Sequence, residues 1–147
     1  MDPVQVRTLV RVLWGAQLLA LPGISLLVIS RVQDGLGEQA HLGGLLFSIG
    51  LIAMVVLPPL GLFLRGQVFK AGWEGQVAKP DSYLRGMLLA WFMCQVPAVL
   101  GVLAIFATGR AWPGAMLPAG SICAMALLWP NGRAMFTPRD LYGVGER

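Results

Sequence analysis

The stretch LLAWFMCQVPAVLGVLAIF, Leu88 to Phe106, sets Cys94, Gln95 and Pro97 close together inside an otherwise apolar run. A thiol, an amide and a helix breaker in such a run could mark an ion site, a ligand pocket or a packing joint. Gln95 lies eleven residues beyond Leu84, about 16 Å along a helix and so near the middle of a bilayer. An amide in hydrocarbon must find hydrogen-bond partners or carry a large desolvation cost. Pro97 cannot donate to the carbonyl of Met93, which leaves one acceptor nearby. Gln17 and Ser48, in other apolar runs, are further candidate partners. The candidate intramembrane polar site is therefore Gln95 with Gln17 and Ser48. One amide can orient a lipid or quinone-type head group, but it supplies no chemistry of its own.

The remaining reactive side chains are sparse. Cys94 and Cys123 lie in apolar runs without CxxC spacing or nearby histidines, and the lone His41 sits at a helix mouth. No metal site is expected from this set. The two cysteines read as small buried residues; a disulfide between them requires that their helices touch at that depth. No Asp, Glu, Lys, Arg or His falls deep within an apolar run. Since ionisable groups at depth mark proton relays and ion pathways, translocation of protons or sodium by this chain alone is not expected. No nucleophile with its base, phosphate-cradling loop or carboxylate pair is present. Neither catalysis nor a cofactor is expected.

These residues are held by four apolar runs of roughly twenty residues, expected as spans of about 9–29, 42–64, 84–106 and 112–129. The 147 residues are 56% apolar and 12% charged, with a mean hydropathy of +0.71, far from the soluble norm of about one quarter charged. The reading is an all-α integral membrane protein: one four-helix domain over 1–147, with 131–147 as a short cytoplasmic tail. The first run is too long for the core of a signal peptide and ends in no small-x-small cleavage site, so it reads as a retained span. Prolines stand in or beside every run, at Pro22, Pro58, Pro59, Pro97, Pro113 and Pro118, as membrane helices tolerate when neighbours satisfy the freed carbonyls. Trp112 and Trp129 bracket the fourth run about 25 Å apart, as interfacial residues would.

Basic residues set the orientation. Arg7 and Arg11, then Arg65, Lys70, Lys79 and Arg85, then Arg133, Arg139 and Arg147 fall on one side; only Arg31 and Arg110 fall on the other. Nine against two places both termini in the cytoplasm, with a bacterial inner membrane as the expected location. Small four-helix multidrug exporters of the dual-topology kind have balanced loops and a glutamate in the first helix, and this chain has neither. Its net charge of +4 is accounted for by topology and by contact with anionic head groups, so no nucleic-acid partner is expected. Phe69, Trp73 and Val77 recur every four residues among Lys70 and Lys79, which suggests a short helix on the inner membrane surface.

Shifting the chain by 71 residues aligns IAMVVLPPLG, Ile52 to Gly61, with CAMALLWPNG, Cys123 to Gly132, and Gly43 with Gly114. The first and third runs align at shifts of 74 or 75, pairing Arg11 with Arg85 and Pro22 with Pro97. Two parallel-repeated hairpins are the plan this suggests, with the termini on one side. In plan, and locally in GMLLAWFMCQVP, the chain resembles the duplicated proteolipid subunits of rotary ATPases. That resemblance implies a mid-helix carboxylate, a glycine-rich packing helix and termini on the outer side. Here Gln95 stands where the carboxylate is expected, the glycine pattern is absent and the charges point the other way, so the chain is not assigned to that family.

Small residues recur every four positions at Gly86, Ala90, Cys94 and Ala98 and again at Ala111, Ala115, Ala119 and Cys123. Such ladders let helix backbones approach closely in a membrane, where burial from water provides no drive. The function read from sequence is a non-catalytic structural or accessory subunit, packed against copies of itself or other membrane subunits within the lipid bilayer. The alternatives are a transporter or channel component and a lipid- or quinone-binding accessory protein.

Overall fold

The computed structural model describes residues 2–32, 39–74 and 77–136. The chain is mostly helical, and three helices are long and apolar enough to cross a membrane. They are α1 (Pro3–Val32), α2 (Ala40–Ala71) and α3 (Pro80–Thr108). At 30, 32 and 29 residues, each is about 45 Å long and overruns a hydrocarbon core of about 30 Å at its ends. All three run through their internal prolines, Pro22, Pro58, Pro59 and Pro97.

Their ends follow local chemistry. Asp2 Oδ1 accepts the Val4 N–H at 3.1 Å ahead of Pro3, whose missing N–H would be unpaired at that position anyway. Pro80 opens α3 in the same way, and Gly109, at φ 65°, closes it by donating its N–H to the Ile105 carbonyl, a left-handed cap that glycine adopts without strain.

The surface helix expected around Phe69, Trp73 and Val77 does not form. Phe69 belongs to α2, Gly72 ends that helix with its N–H on the Val68 and Phe69 carbonyls, and an antiparallel ribbon follows. Its strands are β1 (Trp73–Glu74) and β2 (Val77–Ala78), with Trp73 opposite Ala78 and Glu74 opposite Val77. Glycine weakens a helix, while aromatic and β-branched residues pair well as strands. Gly75 lies outside the described residues.

The fourth apolar run forms a shorter helix, α4 (Met116–Leu127), followed by a single turn, α5 (Arg133–Phe136). Twelve residues make about 18 Å, less than a bilayer by themselves.

α3 is the centre of the bundle. α2 packs along it most extensively, and α4 and α1 pack on it as well. α1 also meets α4, whereas its contact with α2 is slight at most. The largest interface is thus between α2 and α3 rather than within the first sequential hairpin. The aligned repeat segments also differ in conformation. Pro59 and Gly61 lie inside α2, while Pro130 and Gly132 lie beyond the end of α4, Gly132 at φ 75°.

Two buried clusters mark the ends of the bundle. Val6, Val10, Tyr83, Met87, Trp91, Met125 and Met135 meet at one end. Val28, Val32 and Ile105 meet at the other, with Ala115 packed against them. Met135 holds the start of the tail against the bundle; 137–147 lie outside the described residues.

Candidate functional site

The sequence-derived polar residues divide between the interior and the surface. On α3, Gln95 is half-buried, and its side-chain nitrogen points at the Met125 sulfur of α4 at 4.0 Å, a weak acceptor. Ser48 is exposed and donates to the Gly44 carbonyl one turn back at 3.0 Å. It therefore does not join Gln95. Gln17 on α1 keeps its side-chain oxygen buried without a partner, and so does Ser121 on α4, a residue that is 0% exposed.

The register of α1 on α4 brings these last two to one depth. Trp14 donates from its indole nitrogen to the Met125 carbonyl at 3.0 Å. α1 and α4 run in opposite directions here, so stepping one turn inward from that bond reaches Gln17 on α1 and Ser121 on α4. With Gln95 touching Met125, three polar side chains from three helices lie within about one helical turn of one another along the bundle. Ser121 was not singled out by the sequence pattern, because a serine in an apolar helix commonly bonds its own backbone. Ser25 and Thr108 do so here.

This level can hydrogen-bond a ligand but cannot transfer a proton, since none of the three groups ionises. Among the described residues no group of His, Cys, Asp or Glu comes together that could hold a metal. A Gln95→Leu variant should insert normally and change stability by no more than about 2 kcal/mol, because membrane hydrogen bonds of this kind average roughly 0.6 kcal/mol and rarely exceed that limit. Unfolding in detergent–SDS mixtures measures this directly.

The two small-residue ladders sit differently. Gly86, Ala90, Cys94 and Ala98 are all buried. Gly86 lies beneath the Phe69 ring and the Arg65 side chain. A side chain added at Gly61 of α2 would come within 3.2 Å of the Ala90 Cα, so α2 and α3 run almost backbone to backbone there. In the fourth run Ala111 and Ala115 are half-buried, while Ala119 and Cys123 are exposed. A four-residue step drifts about 40° around a helix, which carries the later rungs outward. The inward face of this run is Gly114, Leu117, Pro118, Ser121 and Met125. Gly101 of α3 and Gly114, in the turn that leads into α4, make the close contact between these two segments, each lacking room for a Cβ against the other's backbone. Cys94 and Cys123 are both free, one buried and one exposed.

Two tryptophans finish α4. A helix end in hydrocarbon leaves carbonyls that must be satisfied by the protein. Trp14 reaches the Met125 carbonyl, and Trp91 donates to the Leu128 carbonyl at 3.4 Å. Beyond that point lie the basic residues of one end of the bundle. The Arg11 side chain donates to the Pro130 carbonyl at 3.4 Å and lies over the Trp129 ring; Arg7 lies over Phe136. The N-terminal arm, the end of α2 and the start of the tail therefore gather at one end. No known family, no curated protein and no solved structure matches the chain.

Proposed function

We propose that the chain is a non-catalytic integral membrane subunit with four crossings, working by packing in a membrane complex or a homo-oligomer. The fourth crossing is supported by the path of the chain along α3. Gly114 abuts Ile105, Leu128 meets Trp91, and the Gly132 N–H donates to the Tyr83 hydroxyl at 3.0 Å. From Ile105 to Tyr83 is about 33 Å of helix, a full hydrocarbon thickness, so α4 with the non-helical segments at its two ends covers the distance. Termini on the same side follow, and the charge bias puts them in the cytoplasm. The duplicated-hairpin origin belongs to the same proposal and is supported by the shared proline and glycine positions.

One observation carries the subunit reading. α1 and α2 are covered along one stripe each and do not close on one another, and the outward face of α4 is smooth at Ala119 and Cys123. A flat small-residue face is suited to a second helix at close range. Sizing in nanodiscs of native lipid should give an assembly larger than one chain, and Ala119→Leu should disperse it while the monomer stays folded. A lone monomer in native membranes, with no associated protein after crosslinking through Cys123, would reject this function.

A second reading, an accessory protein that binds a small polar ligand at mid-membrane, is favoured by the unpartnered oxygens of Gln17 and Ser121. Loss of a native activity in a folded Gln95→Leu variant would select it.

A further inference from the structure

At the basic end of the bundle, α2, α3 and the segment after α4 enclose a cavity of about 320 Å³. Its cations are Arg65 and Lys70, its aromatic walls include Phe69, Tyr83 and Trp129, and among the described residues no carboxylate lines it. Arg65 follows directly on the apolar run 42–64 and lies six residues before the end of α2, about 9 Å. It therefore stands where hydrocarbon gives way to head groups.

The Arg65 side chain is fixed from below and from one side. Its shaft crosses Gly86, its guanidinium lies 5.7 Å from the Phe69 ring centre, and one of its N–H groups points to the Met87 sulfur at 3.7 Å. Phe69 is in turn stacked on Tyr83 at 5.4 Å. Among the described residues neither Arg65 nor Lys70 has an acidic partner. The ion pair among the described residues, at 3.6 Å, is Lys79 with Glu74, and both of those are exposed. A guanidinium positioned over a ring, with only a weak thioether acceptor beside it, keeps a fork of donors matched to two oxygens of a phosphate.

We infer that this cavity binds the phosphate of an anionic phospholipid head group, entering from the bilayer, with Arg65 as the bidentate donor and Lys70 as the second positive charge. The lipid source, rather than a free phosphate ester, follows from what adjoins the cavity. Leu62, one turn deeper on the same face of α2, is exposed, and Trp129 is half exposed at the rim. An acyl chain can lie along the first while the indole stays at head-group level, as interfacial tryptophans do. Gly66 opens the cavity, since a Cβ there would meet nothing within 4 Å. The volume falls at the lower end of small-ligand pockets, about 300–1,000 Å³, which suits a head group with its chains left outside. The nine-to-two charge bias draws anionic lipid to this same end.

The test is native mass spectrometry of the full chain in mild detergent, titrated with phosphatidylglycerol and, separately, with phosphatidylcholine. Phosphatidylglycerol should be retained in preference, because the choline cation is repelled by two basic groups. Arg65→Gln should weaken retention about tenfold or more, the loss of a charge-assisted hydrogen bond. Gly66→Leu should fill the opening and do the same with both cations in place, and the open space around Gly66 keeps it folded even if Arg65→Gln is not. Arg110→Gln, an exposed basic residue outside this cavity, should retain lipid like the parent chain. Equal retention of both lipids, or unchanged retention in a folded Gly66→Leu, would overturn the site. So would an Arg110→Gln loss as large as that of Arg65→Gln, which would reduce it to diffuse charge attraction. Full displacement of phosphatidylglycerol by millimolar glycerol phosphate would overturn the lipid source in favour of a soluble phosphate ester.

Discussion

Gly101→Leu is expected to cost about 3 kcal/mol or more through overpacking, and to separate α4 from α3 before anything else in the bundle gives way. A Cβ at Gly101 would lie 2.7 Å from the Leu117 Cβ, 2.7 Å from the Pro118 ring and 2.8 Å from the Gly114 carbonyl oxygen. None of these is the far end of a flexible side chain. Two are tied directly to backbone and the third is backbone, so relief requires one helix to move. Even Gly101→Ala should destabilise, against the usual gain of roughly 0.5–1 kcal/mol from replacing a mid-helix glycine. Gly44, with nothing within 4 Å of its Cβ, is the control. Gly44→Ala should stabilise and Gly44→Leu should be tolerated. Unfolding in detergent–SDS mixtures distinguishes them, and a tolerated Gly101→Leu would remove the close α3–α4 contact from the account of this fold.

Composition and run length made the membrane class and the first three helices legible, because a bilayer demands long apolar segments whatever their neighbours are. Helix contacts were less legible. A ladder of small residues can be read from any apolar helix, but which rungs face inward depends on rotation that spacing alone leaves open. On α3 the ladder is buried throughout because α3 has neighbours on several sides. In the fourth run the same spacing drifts outward, and the contact is made instead by Gly114, just before α4, with Gly101, a pair with no shared periodic signature. The surface helix around Phe69 failed for a local reason, since Gly72 ends α2 before Trp73.

The polar site was half legible. Gln95 stands out as an amide in a long apolar run, and Gln17 does so for the same reason. Which helix each would meet is tertiary, and Ser121 comes within about a turn of them through the packing of α1 and α3 on α4, which the Trp14 and Gln95 contacts at Met125 mark. The cavity at the basic end was less visible still. Arg65, Tyr83 and Trp129 are far apart in sequence, and by position Arg65 is simply one of nine topology charges. Its difference from the others is geometric: it is packed between Phe69, Gly86 and Met87, with no counter-ion among the described residues.

Trp91→Ala should rival Gly101→Leu, at about 3–5 kcal/mol, for a reason of opposite sign: volume is removed rather than added. Trp91 is completely buried, in the cluster that joins α1 through Val6 and Val10, α3 through Met87 and Cys94, and α4 through Met125. In a membrane the transfer of apolar area out of water contributes little to this packing, so the loss comes from the contacts themselves and from the void left behind. The indole also donates to the Leu128 carbonyl just beyond α4, in a residue whose burial keeps water from replacing that bond. Trp91→Phe separates the two effects. It keeps most of the ring packing and loses only the donor, so it should cost about 1 kcal/mol, within the range of membrane hydrogen bonds. Trp14→Phe, which removes the 3.0 Å bond to the Met125 carbonyl, should cost the same or slightly more. If Trp91→Phe proves as damaging as Trp91→Ala, the hydrogen bond and not the packing holds the end of α4. If both are mild, the fourth run is not anchored at this end, and the fourth crossing loses its strongest support.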